Sequence, residues 1–388
     1  MHPAISTRRE MFALFVLAFS VILTAIYHTL PLPYPYDESW PAAVDGSLVA
    51  IHSRAFPANL ALDSPTTKLI SAKSGLVRVP CLGCESIDFK GHDELVTIDR
   101  LGNLVVRLKS SLDVTKEVYV GQGRPLGFEH DEISDTVVIC NSLMGLLEYH
   151  YATDDLRVLD STNLYVNDVS IDPTNPSRIF YSSSTSAGRV VWNTREGFYD
   201  TMRTFLLVWW RGDVSGSLLT IDRTGGKSEV LVDGLFYANG VAATGDAVFV
   251  VETLGLRVKR YDRKTGAVRD FVTDLPGFPD GVKVAADGKS LLVALVAPLS
   301  PLLKATRYPT LRWALAHVMF GKFTHALTSK LIKRFGAVVR VDLETRKIIE
   351  LLVDPTGEFL SSVSAVREDS EGGLYFGNLS GGHVSIMR

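Results

Sequence analysis

A chain of 388 residues, 46% of them apolar and 21% charged, can bury a large core, as one big β domain or two ordinary ones. The formal net charge of −3 and the lack of any basic stripe exclude a nucleic-acid partner. Three cysteines, Cys81, Cys84 and Cys140, are too few for a disulfide framework, so the fold rests on its core.

The chain begins with a ten-residue segment, 1–10, that carries Arg8 and Arg9 just before an uncharged apolar run, Met11 to Leu30. Such a run is either a signal peptide or a membrane anchor. Its length suffices to span a bilayer, and its small-residue exit, Leu23-Thr24-Ala25, is a poor cleavage site, which favours an uncleaved anchor. The two arginines stay on the cytosolic side, so residues 1–10 form a cytosolic tail and everything after Leu30 lies in the lumen or outside the cell, a type II arrangement. Residues 31–65 open with a proline-rich stretch and read as a stalk.

From residue 66 to residue 388 the chain consists of short β-branched or aromatic runs separated by Gly/Asp turns, the pattern of an all-β domain. One phrase recurs along it: Glu85-Ser86-Ile87, Leu126-Gly127-Phe128, Asn167-Asp168-Val169, Asn239-Gly240-Val241, Asp280-Gly281-Val282 and Ser364-Ala365-Val366. Uninterrupted units repeat about every 41 residues, which suits a four-stranded blade, and six units predict a six-bladed β-propeller. Longer gaps hold insertions. One runs from about Thr185 to Arg211; the other, from Pro298 to Arg334, carries the predicted helix, with Leu311, Leu315, Val318 and Met319 at helical spacing and Lys322, Lys330, Lys333 and Arg334 at its far end. That helix reads as a lid on the domain or as a contact with the membrane surface. The last unit is short of a strand, so a segment within Thr67 to Val79 is expected to complete its blade.

In a propeller the first strand of each blade lines the central channel, so the repeated position forms a ring: Glu85, Leu126, Asn167, Asn239, Asp280 and Ser364. Two carboxylates and two amides in one register offer an oxygen-only set of ligands for a hard cation such as calcium, here Glu85, Asn167, Asn239 and Asp280. Each dipeptide alone is also an ordinary turn. Glu252 ends a strand and reads as a group behind that set or as a cross-strand or turn partner. His92, His130, His150 and His383 stand outside the ring register and receive no catalytic role. Cys81-Leu-Gly-Cys84 has redox or zinc spacing without a second pair, and reads as a local disulfide or two plain thiols before redox or metal chemistry. Asn378-Leu379-Ser380 is the one glycosylation sequon, since Asn175 is followed by Pro176.

The stretches QGRPLGF (Gln122 to Phe128), NDVSIDP, GSLLTID, LFYANGVA, VVET, RVKRYD and LPGFPDGV follow one another in an order that closely resembles the strictosidine synthase-like family, from about Glu85 to the C-terminus. With an N-terminal anchor the chain most resembles the branch of adipocyte plasma membrane-associated proteins. The resemblance implies a six-bladed propeller of the paraoxonase and gluconolactonase kind, with calcium held by Glu85, Asn167, Asn239 and Asp280. It also implies that Asp280 is the nucleophile or general base. In two places the chain departs from the pattern: Ser364 stands where strictosidine synthase has a glutamate, and the paraoxonase histidine pair is missing from the blade that reads RPLGF.

The expected function is that of a membrane-anchored, calcium-dependent hydrolase of small-molecule esters or lactones. A binding or scaffold propeller with structural calcium is the alternative; an aromatic plug in the channel would favour it. Condensation of an amine with an aldehyde is disfavoured, because Ser364 cannot serve as its base.

Overall fold

The computed structural model describes residues 66–388 apart from 72–73, 164, 187–190, 194–197, 313–314 and 316–333, together with Val44, Leu48 and His52. Six sheets of four strands or more are arranged as the blades of a propeller. Their inner strands are Ile87–Lys90, Pro125–Asp131, Val166–Ile171, Ala238–Ala243, Gly277–Val284 and Val363–Glu368, defining blades 1 to 6 in chain order.

Alternating apolar positions put one face of each blade against the next. Val96, Ile98, Leu104 and Val106 of blade 1 share a core with Phe128, Val137 and Ile139 of blade 2. Phe249, Val251 and Val258 of blade 4 pack in the same way on Val282, Leu291 and Val293 of blade 5. Outermost strands bury little, as in Val114–Tyr119, where Val114 and Tyr119 are exposed.

The ring is closed as expected. Val77–Pro80 pairs antiparallel with the C-terminal strand His383–Met387 and completes blade 6. Thr67–Leu69 adds, in parallel, a fifth strand to the outer edge of blade 5. Cys81 and Cys84 form a disulfide between that closing strand and the inner strand of blade 1, and Cys140 is a buried thiol.

A roof of aromatic and aliphatic side chains covers one mouth of the channel. It is built from Leu48, the helix Thr201–Arg211 and the 3-10 turn Pro301–Arg307, packed on Tyr165, Phe236, Tyr237, Leu254 and Phe278. Trp209 and Trp210 stack at 4.5 Å. The helix Thr201–Arg211 is a correction, since the sequence pattern placed a helix only in the second insertion. Phe205 to Trp210 is an unbroken apolar run, and a run of that length reads as a buried strand as readily as a helix. In the second insertion residues 309–312 and 315 are helical, and Leu315 packs against the roof whereas Leu311 is 44% exposed. Val318, Met319, Lys322, Lys330 and Lys333 lie outside the described residues, as do the tail and the apolar run Met11 to Leu30. Among the described residues no helix is long and apolar enough to cross a membrane.

Candidate metal centre

In five of the six inner strands the register slips by a bulge at the repeated position, between Pro125 and Phe128, Val166 and Val169, Ala238 and Val241, Pro279 and Val282, and Val363 and Val366. A bulge re-aims the side chain it contains. Here it sets residues of the ring towards the axis, where Glu85, Asn167, Asn239, Asp280 and Ser364 are all buried.

Glu85, Asn167 and Asn239 line one cavity, and Asp280 lies close enough for the Glu85 charge to raise its proton affinity and for the Asn239 amide to lower it. The amides are oriented by hydroxyls behind them. Asn167 Nδ2 donates to Ser184 Oγ at 2.9 Å, and Asn239 Nδ2 donates to Thr253 Oγ1 at 3.1 Å, which turns the amide oxygens away from those partners. Ser184 Oγ in turn donates to the Ala238 carbonyl, fixing the strand that carries Asn239. Ser364 Oγ is committed to the Glu85 carbonyl at 2.6 Å, and Leu126 supplies only an apolar wall.

Electrostatics at this ring are unfavourable for the bare carboxylates. Burial pushes the Glu85 carboxyl up to about 7, with Arg124 opposing the shift and Asp168 adding to it. Burial, and then the Glu85 charge, raise Asp280 well above the usual carboxylate range. Arg124 Nη2 stands 3.5 Å from Glu85 Oε2, yet its other hydrogen bonds go to the carbonyls of Gly83 and Leu379, so it offsets only part of the charge. Two buried carboxylates and two amide oxygens make a donor set that fits a hard divalent cation. Among the described residues no three His, Cys, Asp or Glu side chains gather at one point, so this set depends on its amides.

One residue further along each strand the channel is narrow: Ser86, Gly127, Asp168, Gly240, Gly281 and Ala365. A Cβ at Gly240 would fall 2.4 Å from the Val282 nitrogen, so adjacent inner strands approach there as only glycine permits. The cavity between these levels measures about 10 Å³, enough for one water or one ion and too small for an organic substrate.

Two levels of the site were not anticipated. Three residues beyond the ring, Asp88, Glu129, Lys283 and Arg367 meet across the floor of the channel: Arg367 pairs with Asp88 at 2.8 Å, and Lys283 lies 3.4 Å from Glu129. The same repeat spacing would have found them. Two residues before the ring, Tyr165 and Tyr237 have φ of 63° and 67° and join hydroxyl to hydroxyl at 2.7 Å under the roof. Their signal was also in the sequence, as Tyr-x-Asn in Tyr165-Val166-Asn167 and again in Tyr237-Ala238-Asn239. Such left-handed backbone at a bulky residue is held only by surrounding structure.

Glu252 lies outside the ring. It accepts from the Phe236 N–H and pairs with its cross-strand neighbour Arg257, the turn and cross-strand role. Asn378 ends the strand Leu374–Asn378 and is buried, its Nδ2 donating to the Ser361 carbonyl and its Oδ1 accepting from the Ser380 N–H.

Fold and site together define a six-bladed propeller with an oxygen-lined ring in its channel. Its relatives are the adipocyte plasma membrane-associated and strictosidine synthase-like proteins, as the motifs indicated. The adipocyte plasma membrane-associated protein of Bos taurus is 26% identical over 347 residues, 86% of this chain and 82% of that protein. Strictosidine synthase-like 10 of Arabidopsis thaliana is 28% identical over 276 residues, 66% of this chain and 67% of that protein. Among solved structures, the calcium-binding protein regucalcin of Agrobacterium tumefaciens superposes with a TM-score of 0.54 at 14% identity, covering 84% of this chain and 95% of that one. No family model matches the chain.

Proposed function

We propose that the chain is a calcium-dependent hydrolase of esters or lactones, with Glu85, Asn167, Asn239 and Asp280 as the calcium ligands and Asp280 as the catalytic carboxylate. The observation that carries this reading is the pairing of two buried, poorly neutralised carboxylates with two amides whose nitrogens are tied back to hydroxyls. Regucalcin, of the same fold, is a calcium-binding protein, which supports the choice of ion. Bound calcium would polarise a substrate carbonyl and stabilise the oxyanion. Asp280 would, when ionised, either attack the carbonyl carbon, expelling the alcohol before water hydrolyses the acyl intermediate, or take a proton from the water that attacks and displaces the alcohol. The Asn239 amide favours the ionised Asp280 carboxylate, and the roof excludes bulk water above the tyrosine pair.

The domain plan belongs to the same proposal: a cytosolic tail of residues 1–10, an anchor over 11–30, a stalk over 31–65 and the propeller from 66 to 388 on the lumenal or extracellular side. The name of the bovine relative, a plasma membrane-associated protein, supports membrane attachment. Extracellular calcium fills oxygen sites with dissociation constants of roughly 10⁻⁴–10⁻³ M, whereas cytosolic calcium would not.

One observation favours a second reading, a non-catalytic propeller with structural calcium: the roof is closed over Tyr165 and Tyr237, and the cavity beneath holds no more than an ion. Hydrolysis therefore requires the roof to open. The test is a panel of aryl esters and lactones assayed with calcium and with chelator, on the wild type and Asp280→Asn. Turnover lost in both the chelated and the Asp280→Asn protein supports the hydrolase. A protein inert to the panel but raised in melting temperature by calcium is the binding propeller.

A further inference from the structure

Below the ring, Lys283 is buried at 3% exposure, and its ammonium has an unusual surrounding. Nζ lies 2.8 Å from the Val169 carbonyl, 3.3 Å from Asp168 Oδ1, and 3.4 Å from both Glu129 Oε2 and the Val241 carbonyl. The four oxygens come from blades 2, 3 and 4, while the lysine reaches in from blade 5. An ammonium has three N–H donors, so four oxygens, two of them carboxylate and two carbonyl, exceed what it can bond at once. Such a set suits a hard cation without directional bonds.

The oxygens are themselves held in place. Asp168 Oδ2 accepts from the Val241 N–H at 2.9 Å, and Glu129 Oε1 accepts from the Ile171 N–H at 3.2 Å. Asp168 also lines the cavity above, so one carboxylate stands between the ring level and the lysine level. Asp280 and Lys283, three residues apart on one strand, address these two levels.

We propose that the channel has two cation positions in line, and that the lower one is filled by the chain's own Lys283 ammonium in place of a divalent metal. Removing that side chain uncovers a latent oxygen-donor site that takes a divalent cation such as calcium. The blades around the floor are therefore tied together whether or not calcium is present. This inference does not depend on the function of the upper ring.

The experiment uses the full chain in the Asp280→Asn background, which weakens calcium binding at the upper ring and is the common parent of both variants, and compares Lys283→Ala with Lys283→Met. Alanine leaves the oxygen cage open; methionine fills it without charge. Thermal unfolding is followed in chelator and in millimolar calcium, with calcium stoichiometry by titration calorimetry. Both variants should lose several degrees of melting temperature in chelator, because buried Asp168 loses the Lys283 ammonium and Glu129 is left with Arg367 at 3.6 Å. Calcium should restore Lys283→Ala alone and add one bound ion to it. The inference is overturned if Lys283→Met is as stable as its parent, or if calcium fails to restore Lys283→Ala beyond its effect on Lys283→Met. Should either variant not fold in chelator, refolding yields decide in the same way: recovery by calcium for alanine alone supports the tethered cation, and equal yields refute it.

Discussion

Glu85 from blade 1 and Asp280 from blade 5 face one channel closely enough for the Glu85 charge to raise the proton affinity of Asp280, and the Asn239 amide between those blades works against that rise. Burial is the largest cause of both raised proton affinities, so the ring in its metal-free form prefers protons to charge.

A pH dependence follows, with a defined sign. Glu85 rises from the ordinary 4.5 to about 7 on folding, so the folded chain binds more protons than the unfolded one between those values. The metal-free protein is then most stable below about pH 4.5 as far as this group is concerned, and loses that contribution as the pH rises towards about 7. Calcium needs the ionised form, so the stabilisation it gives should grow over the same interval. Unfolding midpoints in chelator and in calcium across this range check both slopes, and Glu85→Gln should flatten them.

Tyr237→Phe removes the hydroxyl that Tyr165 bonds at 2.7 Å under the roof. The buried Tyr165 hydroxyl loses its shortest hydrogen bond and keeps its 3.4 Å contact with the Thr201 carbonyl, and the loss should be about 1–2 kcal/mol in denaturant unfolding. An unchanged midpoint would mean that the pair does not hold the roof.

At Gly240 a methyl group would meet the Val282 nitrogen at 2.4 Å and the Asp280 carbonyl at 2.6 Å. Both are backbone atoms of blade 5 and cannot swing aside. Gly240→Ala should cost about 3 kcal/mol and weaken calcium binding together with stability, because the strand that must move carries Asp280. Stability lost with calcium affinity intact would show that the strand relaxes elsewhere.

Asn378 is expected to carry no glycan despite its sequon. Its amide donates to the Ser361 carbonyl and its oxygen accepts from the Ser380 N–H, so both ends are committed. Endoglycosidase should leave the electrophoretic mobility unchanged, and Asn378→Gln should cost about 1–3 kcal/mol through the lost bonds. A mobility shift on digestion would contradict the buried placement.

The blade count and the ring were legible because a propeller repeats its inner strand, and Asn239-Gly240-Val241 and Asp280-Gly281-Val282 state that repeat in adjacent units. The bulges that aim those residues at the axis leave no mark in composition. Lys283 and Arg367 were passed over because single cations among β residues look like solvated positions until their partners, Glu129 and Asp88, are brought from other blades. Helix Thr201–Arg211 was hidden for another reason: its apolar run Phe205 to Trp210 is short enough to be read as a buried strand.

The most direct test of the metal centre is calcium titration by calorimetry on the full chain, with Glu85→Gln and Asp280→Asn alongside. The account predicts one bound calcium per chain, weakened by at least about tenfold in each variant, the equivalent of losing about 1.4 kcal/mol. No binding at millimolar calcium, or binding unchanged in both variants, would contradict it.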